Sequence, residues 1–281
     1  MESKKVAVTG ANGYIGRHVT SKLLELGHEV IAVDINRKNI SSEIHFVEKS
    51  VLDADENIFE NLGKPDICIH LAWRDGFQHN SNVHMGDLSK HYYFVRHMLE
   101  GGLRNINIMG SMHEVGYWEG VIDENTPTNP LSMYGIAKNS LRQAAKLLAK
   151  EFNADLKWLR GFYVLGDDSS NHSVFTKLLE KEKAGEETFP FTSGKNQYDF
   201  LDVKDLAEQI VFAALQDEIT GEINCCSGQP VSLGDRVERF IKENQLNIRL
   251  EYGAFPDRPY DSPAVWGDTS KIKEIMSKVY K

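Results

Sequence analysis

Tyr134 and Lys138 form the strongest candidate for chemistry in the sequence. A spacing of four residues places both side chains on one face of a helix. A free tyrosine has a pKa of about 10 and is a poor base at neutral pH, but a nearby ammonium and an oxidised nicotinamide ring favour its phenolate form. Such a tyrosine can exchange a proton with a carbinol or carbonyl while hydride moves. The pair predicts nicotinamide-linked redox catalysis, and the alternative is a helix-surface pair without a catalytic role.

A glycine-rich loop supports the redox interpretation. Residues 9–16 read TGANGYIG and lie between a predicted strand and a predicted helix. Gly10 allows a tight turn, Gly13 lets a pyrophosphate approach the backbone, and Gly16 lets the helix pack against the strand. The helix N-terminus then offers N–H groups to phosphates. The loop predicts dinucleotide binding rather than an empty structural turn, with these contact residues: Gly10, Asn12, Gly13, Tyr14, Ile15 and Gly16.

Asp34 indicates which dinucleotide is preferred. It follows the second predicted strand, EVIAVD, 18 residues beyond Gly16. A carboxylate at this place accepts hydrogen bonds from ribose hydroxyls and repels a 2′-phosphate. Arg37, three residues later, could offset that repulsion. We therefore expect NAD as cofactor, with NADP the less favoured alternative.

Short apolar runs that alternate with amphipathic stretches position these residues. The pattern predicts βαβ units and a doubly wound parallel sheet, an α/β Rossmann fold. Strands buried on both faces should be continuously apolar. The predicted strands are 5–9, 29–33, 44–47, 66–71, 105–109 and 156–160, and the predicted helices are 14–26, 54–62, 84–100 and 131–152.

After Gly166 the elements become shorter and turn residues denser. We therefore expect a dinucleotide-binding domain over residues 1–165, with some later segments returning to its sheet. Residues 166–281 are expected to form a small C-terminal substrate lobe.

Charge and composition exclude several classes of protein. The net charge of the 281 residues is −9, which argues against nucleic acid as a partner. No apolar segment is long enough to span a membrane, and the N-terminal residues lack the apolar region of a signal peptide. Cys68, Cys225 and Cys226 show no metal-ligand spacing and are typical of buried thiols in a reducing compartment. We expect a cytoplasmic protein without a membrane partner.

Ten histidines raise the possibility of a metal site. Four of them lie between residues 79 and 97, and His84 and His91, seven residues apart, share a helix face. None has the spacing to a second ligand and a carboxylate that known metal sites show. We expect no metal and assign these histidines to the surface or the core.

Further segments match the motifs of one enzyme family in order along the chain. They are TGANGYIG at 9–16, Asp53 in SVLD, HLAW at 70–73, the approach DENTPTNPLSMYGIAK to the Tyr134 helix, YDFLDVKD at 198–205, NCCSG at 224–228 and Arg258 in DRPYD. From residue 4 to about residue 275, the sequence resembles the extended short-chain dehydrogenase/reductase family. Within it the likeness is to the NAD-dependent nucleotide-sugar epimerases, dehydratases and 4-ketoreductases.

The resemblance implies further roles. Asp53 would contact adenine, Leu71 and Ala72 would lie beneath the cofactor, and Lys138 would also hold the nicotinamide ribose. Arg258 would grip the diphosphate of a nucleotide-sugar substrate, and His172 lies where the family binds the nucleotide. The helices 84–100 and 131–152 would pair with those of a second copy in a homodimer.

Three departures from the family pattern fall near the substrate. The family carries Ser or Thr four residues before the Tyr of a VYG element, and counting from Val115 places Met112 there, with Ser111 one residue early. Methionine has no hydrogen-bond donor, so either the strand end shifts and Ser111 serves, which we favour, or His113 or a water substitutes. A substrate-binding Asn is replaced by Tyr163, and the Arg of the RDF motif is replaced by Tyr198. Met112, His113, Tyr163 and Tyr198 are therefore expected to line the substrate site.

Together these features predict NAD-dependent redox chemistry at C4 of a nucleotide-activated sugar. The chain is shorter than the epimerases it resembles, which favours a 4-ketoreductase. The catalytic residues would be Tyr134, Lys138 and Ser111. The alternatives are a 4-epimerase and a non-catalytic NAD-binding regulator.

Overall fold

A seven-stranded sheet forms the centre of the molecule. The computed structural model describes residues 2–166, 173–257 and 261–279. All strand pairs of this sheet are parallel, and its strands run in the order β11-β7-β5-β4-β1-β2-β3. They are β1 (Lys5–Thr9), β2 (Glu29–Asp34), β3 (His45–Glu48), β4 (Ile67–His70), β5 (Asn105–Ser111), β7 (Asp155–Gly161) and β11 (Gly221–Cys225).

Within the described residues, seven further strands lie outside the main sheet. Five belong to a second sheet of order β12-β10-β14-β6 with β8 paired to β10, and two form a β13-β9 pair. They are β6 (Gly120–Ile122), β8 (Tyr163–Leu165), β9 (Thr188–Pro190), β10 (Gln197–Asp202), β12 (Pro230–Ser232), β13 (Arg249–Glu251) and β14 (Ala264–Gly267).

Helices cover both faces of the main sheet. The helices of the described residues are α1 (Gly16–Glu25), α2 (Ile58–Asn61), α3 (Val83–Gly101), α4 (Met133–Glu151), α5 (Val174–Lys183), α6 (Val203–Leu215), α7 (Leu233–Glu243) and α8 (Ser270–Val279). Of these, α5 and α7 pack in a separate cluster away from the main sheet. Val6 and Val8 of β1 pack into a core with α1, α6 and α8, while Ala7 packs into a second core with α2, α3 and α4. Successive strand residues point to opposite faces, so the sheet is buried on both sides. The predicted doubly wound Rossmann fold is confirmed.

The carboxyl ends of strands β1 and β4 mark the place where a ligand is expected. From β1 the strand order runs through β2 to β3 on one side and through β4, β5 and β7 to β11 on the other. Ligands of such sheets bind beyond the carboxyl ends of the strands where the order reverses. The glycine-rich loop follows β1 and the 71–73 segment follows β4, so both lie at this switch point.

Two sequence expectations are wrong in detail. The predicted helix 54–62 is instead a 3₁₀ turn at Val51–Asp53 followed by the four-residue helix α2. The strands β5 and β7 are not continuously apolar, because they bury Asn107, Lys157 and Arg160, each at most 1% exposed. These polar side chains are tolerated because each finds a hydrogen-bond partner. Lys157 Nζ donates to Asn105 Oδ1 at 3.3 Å, Asn107 Nδ2 donates to the same oxygen at 2.8 Å, and Arg160 donates to the Asp123 carbonyl at 3.1 Å.

The C-terminal half contributes to both parts of the molecule. Strand β11 pairs with β7 at the edge of the main sheet, and α6 packs against α1. The remaining short strands, with α5 and α7, form the smaller lobe around Phe175, Leu178 and Val237. The division at residues 165 and 166 stays a prediction. Within the ranges that the structure describes, no helix is long and apolar enough to cross a membrane.

Candidate active site

The glycine-rich loop brings backbone atoms together where side chains would collide. Gly10 has φ +67°, and a Cβ on it would lie 2.7 Å from the backbone nitrogen of Ala72. A Cβ on Gly16 would lie 2.1 Å from the Gly10 carbonyl oxygen. Ile15 at the N-cap of α1 makes no side-chain capping hydrogen bond. The loop therefore presents bare backbone and the N–H end of a helix, which fits a pyrophosphate.

Asp34 lies beside this loop at the end of β2. Its carboxylate accepts hydrogen bonds from the Asn12 N–H at 2.9 Å and the Ile35 N–H at 2.7 Å. Arg37 is turned away, since its guanidinium donates to the carbonyl oxygens of Ser41 and Ile44. The arginine that could have offset repulsion of a 2′-phosphate is thus engaged elsewhere, and the Asp34 carboxylate, an acceptor for ribose hydroxyls, fits NAD.

Asp53 borders an open cavity next to Asp34. The cavity has a volume of about 440 Å³ and is lined by Ile35, Glu48, Lys49, Ser50 and Asp53. It lies at the carboxyl ends of β2 and β3, and the Ser50 hydroxyl caps the 3₁₀ turn that carries Asp53. Asp53 therefore lies close to the end of β2, and its contact with adenine stays a prediction.

The segment after β4 packs directly against the phosphate loop. The Ala72 N–H donates to Thr9 Oγ1 at 3.3 Å, and the Leu71 N–H donates to the Thr9 carbonyl at 3.2 Å. Leu71 and Ile15 both pack against the core that contains α1. The aromatic ring of Tyr14 reaches toward Gly166, where a Cβ would lie 2.3 Å from the Tyr14 hydroxyl.

Tyr134 lies in the first turn of α4. Ser132 caps this helix by accepting a hydrogen bond from the Gly135 N–H at 3.1 Å, and the Tyr134 N–H donates to the His79 carbonyl at 2.9 Å. Burial raises the pKa of the Tyr134 phenol to about 12, while a hydrogen bond with Ser111 opposes this shift and the Glu114 carboxylate adds to it. The phenol is therefore protonated at neutral pH and suited to donate a proton.

Ser111, rather than Met112, faces Tyr134. Ser111 ends β5, where its hydroxyl accepts from the His113 N–H at 3.3 Å and hydrogen-bonds Tyr134. Met112 is 6% exposed and packs in an apolar cluster with Phe162 and Tyr198. Because methionine points into that cluster, the hydroxyl next to Tyr134 is supplied one residue earlier than the family spacing. This geometry supports Ser111 as the third member of the site.

Glu114 fixes this strand end. Its fully buried carboxylate accepts the Ser111 N–H at 2.6 Å and the Trp158 indole N–H at 2.9 Å. Arg142 and Arg160 each place Nε 3.7 Å from Glu114 Oε2. Burial raises the pKa of Glu114, and the guanidinium of Arg160 is the largest opposing influence.

Lys138 is buried one helical turn after Tyr134. Its Nζ donates to the Met109 carbonyl at 2.8 Å and lies 5.9 Å from the centroid of the Tyr134 ring. Burial lowers the pKa of Lys138 to about 7, against the opposing influence of Glu114. The Lys138 side chain thus lies close to Tyr134 and can lose its proton near neutral pH.

A ring cluster around Tyr134 was not anticipated from the sequence. His79 stacks on the Tyr134 ring at 5.3 Å between centroids, and His113 lies 4.3 Å from His79. Burial, with a smaller influence of His79, lowers the pKa of His113 to about 3. Trp73 meets Tyr134 edge-on at 6.1 Å. Two features of the sequence relate to this cluster: His84 and His91 share a helix face, and Trp73 ends the HLAW segment.

The predicted substrate residues are only partly brought together. Tyr163 stacks on Tyr198 at 4.3 Å, in the cluster that also contains Met112. His172 and Arg258 lie outside the described residues. In the ranges described, no group of three or more His, Cys, Asp or Glu side chains could hold a metal ion.

Comparison with known proteins identifies the family. The profile of the NAD dependent epimerase/dehydratase family matches residues 6–226, and the chain belongs to this family. It is therefore an enzyme, with NAD as its cofactor, and the alternative of a non-catalytic regulator is not retained. The predicted resemblance is confirmed.

Individual relatives match nearly the whole chain. A protein of Aggregatibacter actinomycetemcomitans named dTDP-6-deoxy-L-talose 4-dehydrogenase (NAD(+)) is 45% identical over 270 residues, covering 93% of this chain and 98% of its own. The structure of UDP-glucose 4-epimerase from Thermotoga maritima with UDP-glucose has a TM-score of 0.81 at 26% identity, covering 96% and 91%. UDP-N-acetylglucosamine 4-epimerase from Methanobrevibacter ruminantium M1 shares the fold, with a TM-score of 0.85 at 21% identity, covering 98% and 92%.

Proposed function

We propose that the enzyme catalyses NAD-dependent oxidoreduction at C4 of a nucleotide-activated 6-deoxyhexose, with reduction of a 4-keto sugar as the preferred direction. The observation that carries the proposal is the grouping of Ser111, Tyr134 and Lys138 at the switch point of the sheet. The 45% identity to a dTDP-6-deoxy-L-talose 4-dehydrogenase supports the sugar class and the nucleotide. A dehydrogenase and a 4-ketoreductase run the same reaction in opposite directions.

Each catalytic residue has a distinct part in the reduction. The reduced cofactor supplies the hydride that C4 receives. Tyr134 donates its phenolic proton to the C4 oxygen, which completes the alcohol and leaves a phenolate. Ser111 donates a hydrogen bond to the developing alkoxide, and the Lys138 ammonium stabilises the phenolate and holds the nicotinamide ribose. The raised pKa of Tyr134 keeps the phenol protonated in the free enzyme, which is the form that the reduction uses.

The residues at the switch point of the sheet are assigned to successive parts of the cofactor. We assign Asp34 to the adenosine ribose and Asp53 to adenine, with Leu71 and Ala72 beneath the nicotinamide half. The phosphate contacts are assigned to the loop residues Gly10, Asn12, Gly13, Tyr14, Ile15 and Gly16. The close approaches at Gly10 and Gly16 support this assignment, because any side chain there would displace the loop.

The substrate side of the site is more aromatic than the family pattern. Tyr163 and Tyr198 stack where the resembling enzymes carry Asn and Arg. Tyr163 in place of a substrate-binding Asn favours a sugar with fewer hydroxyl groups, such as a 6-deoxyhexose, whereas Tyr198 in place of Arg removes part of the usual diphosphate clamp. We assign Met112, His113, Tyr163 and Tyr198 to the substrate wall. The assignments of His172 and Arg258 rest on the sequence alone.

A 4-epimerase is the second candidate, favoured by the likeness to the Thermotoga maritima enzyme. The two differ in their use of cofactor. An epimerase retains NAD and interconverts its substrate with none added, whereas a reductase consumes NADH in proportion to the product formed.

We further propose that the enzyme is a cytoplasmic homodimer joined through α3 and α4. Both helices carry apolar side chains at the surface, among them Tyr93 at 46%, Ile136 at 37% and Leu147 at 71% exposure. Light scattering of the purified protein should give twice the chain mass, and Leu147→Glu should shift it toward the monomer. A monomeric wild-type protein would refute the dimer.

The test of function is a paired assay. NADH oxidation is followed with a dTDP-4-keto-6-deoxyhexose, and NAD reduction with the corresponding alcohol; Tyr134→Phe is the control. We expect stoichiometric NADH loss that the control does not show. Interconversion of 4-epimers without added NADH would establish the epimerase. The proposal fails if UDP-, dTDP-, GDP- and CDP-sugars neither react nor raise the melting temperature with NAD present.

A further inference from the structure

Trp73 occupies the centre of a side-chain cluster that links α3 to the catalytic helix. It follows β4 directly and is half-buried. The indole contacts His91, with ring centroids 4.4 Å apart and planes 13° apart. Lys138 Nζ lies over the same indole, 3.8 Å from its centroid. Tryptophan is the aromatic residue that binds a cation most strongly, and the contact gains strength when it is shielded from water.

Hydrogen bonds hold the indole in one orientation. The Trp73 Nε1–H can only donate, so His84 Nδ1 accepts at 3.1 Å. His84 must then carry its proton on Nε2, which donates to the Gln78 carbonyl at 3.0 Å. His91 is held in turn by His70, 3.1 Å away, whose other nitrogen bonds Thr9 Oγ1 at 2.7 Å. The ring is therefore fixed from α3 and from the end of β1.

The ammonium of Lys138 has few other partners. In the part of the chain that the structure describes, the Met109 carbonyl is its one hydrogen-bond acceptor. The titratable groups that face it are Tyr134 on its own helix, Glu114 after β5, His70 on β4 and His91 on α3. Of these only the Glu114 carboxylate supplies an opposite charge. The indole face is thus the closest group that favours the charged lysine besides the Met109 carbonyl.

We infer that Trp73 is a positioning residue, whose indole holds the Lys138 ammonium charged and aimed toward the nicotinamide ribose. The inference rests on the proposed role of Lys138 in holding that ribose, but not on the identity of the sugar. Trp73 would act through Lys138 and not through contact with the reacting atoms. His84 and His91, one heptad apart on α3, then serve as the support of the indole.

The test is NAD titration across pH, which needs no sugar. Trp73→Leu removes the aromatic face, Trp73→Phe keeps one, and Trp118→Leu is the control, because its indole N–H bonds the Val121 carbonyl away from Lys138. We expect Trp73→Leu to weaken NAD binding by about 10- to 30-fold. The alkaline fall in affinity should move to lower pH, because burial already lowers the pKa of Lys138 to about 7. Trp73→Phe should restore most of the NAD affinity and most of the wild-type pH profile. The Trp118→Leu control should bind NAD as the wild type does.

A double-mutant cycle decides whether the effect passes through the lysine. In a Lys138→Met background, Trp73→Leu should cost less than about twofold in further affinity. Additive losses would overturn the inference, since Trp73 would then act on the cofactor by itself. Unchanged affinity and pH profile in a folded Trp73→Leu would overturn it as well. If that variant does not fold, Trp73→Met tests the same point. If the NAD titrations show the expected coupling of Trp73 and Lys138 but no sugar is turned over, only the proposed function is refuted.

Discussion

Replacing Ser111 by alanine separates the two possible registers of the strand end after β5. The substitution removes the hydroxyl that bonds Tyr134 and that accepts the His113 N–H at 3.3 Å. It leaves the backbone N–H of residue 111 in place, so Glu114 keeps its acceptor role there. The turn should therefore persist, with a loss of about 1 kcal/mol for the missing cap.

The expected loss in turnover is much larger than the loss in stability. Removing one donor to a developing oxyanion typically lowers kcat about 10²–10³-fold. Loss of the same hydroxyl also raises the pKa of Tyr134 further, because its hydrogen bond opposes the shift that burial causes. NAD affinity should stay within about twofold, since Ser111 is not assigned to the cofactor.

The measurement is single-turnover oxidation of bound NADH by the 4-keto substrate. Ser277→Ala is the matched control, because its hydroxyl bonds the Glu274 carbonyl on the exposed face of α8, and it should keep kcat within about twofold. Wild-type kinetics for Ser111→Ala would show that the hydroxyl of residue 111 does not serve the reaction and that the reasoning from this strand end is wrong.

Three further substitutions test other parts of the structure. Tyr134→Phe should lower turnover about 10²–10⁴-fold with nearly unchanged NAD affinity in calorimetry, and full activity would exclude the assigned proton donor. Asp34→Ala should narrow the preference for NADH over NADPH in steady-state assays, and tighter NADPH binding by the wild type would contradict the role of this carboxylate. Lys157→Met should stabilise the protein by about 1–3 kcal/mol at pH 7, because burial lowers the pKa of Lys157 to about 8 and the fold encloses a charge. The gain should shrink as pH rises from 8 toward 10, where the unfolded chain also loses its proton, and melting curves that show destabilisation at both pH values would refute it.

The cofactor half could be predicted because its signals are local. The glycines of the loop, the strand before it and the helix after it lie within about 20 residues of sequence, and each requires its neighbours for a steric reason. Asp34 was expected on the same ground. The orientation of Arg37 away from Asp34 could not be predicted, because its guanidinium bonds carbonyl oxygens in a loop whose path the sequence does not specify.

The substrate half depends on contacts between distant segments. Ser111 faces Tyr134 because Glu114 reaches back to its N–H, and Glu114 is held by Trp158 and Arg160 from β7. No spacing rule within GSMHEV contains that information. The cluster around Trp73 is similar, since it joins the end of β4 to α3 and α4.

The position of β11 in the sheet bears on how the polypeptide folds as it is made. Strand β7 has its outer hydrogen-bonding edge covered by residues 221–225, and α1 has its outer face covered by α6. A ribosome that has released only the first 165 residues has therefore delivered every loop of the cofactor site but not the elements that close its sheet. An exposed strand edge of this kind is open to pairing with other chains. A fragment ending at residue 165 should therefore aggregate rather than bind NAD.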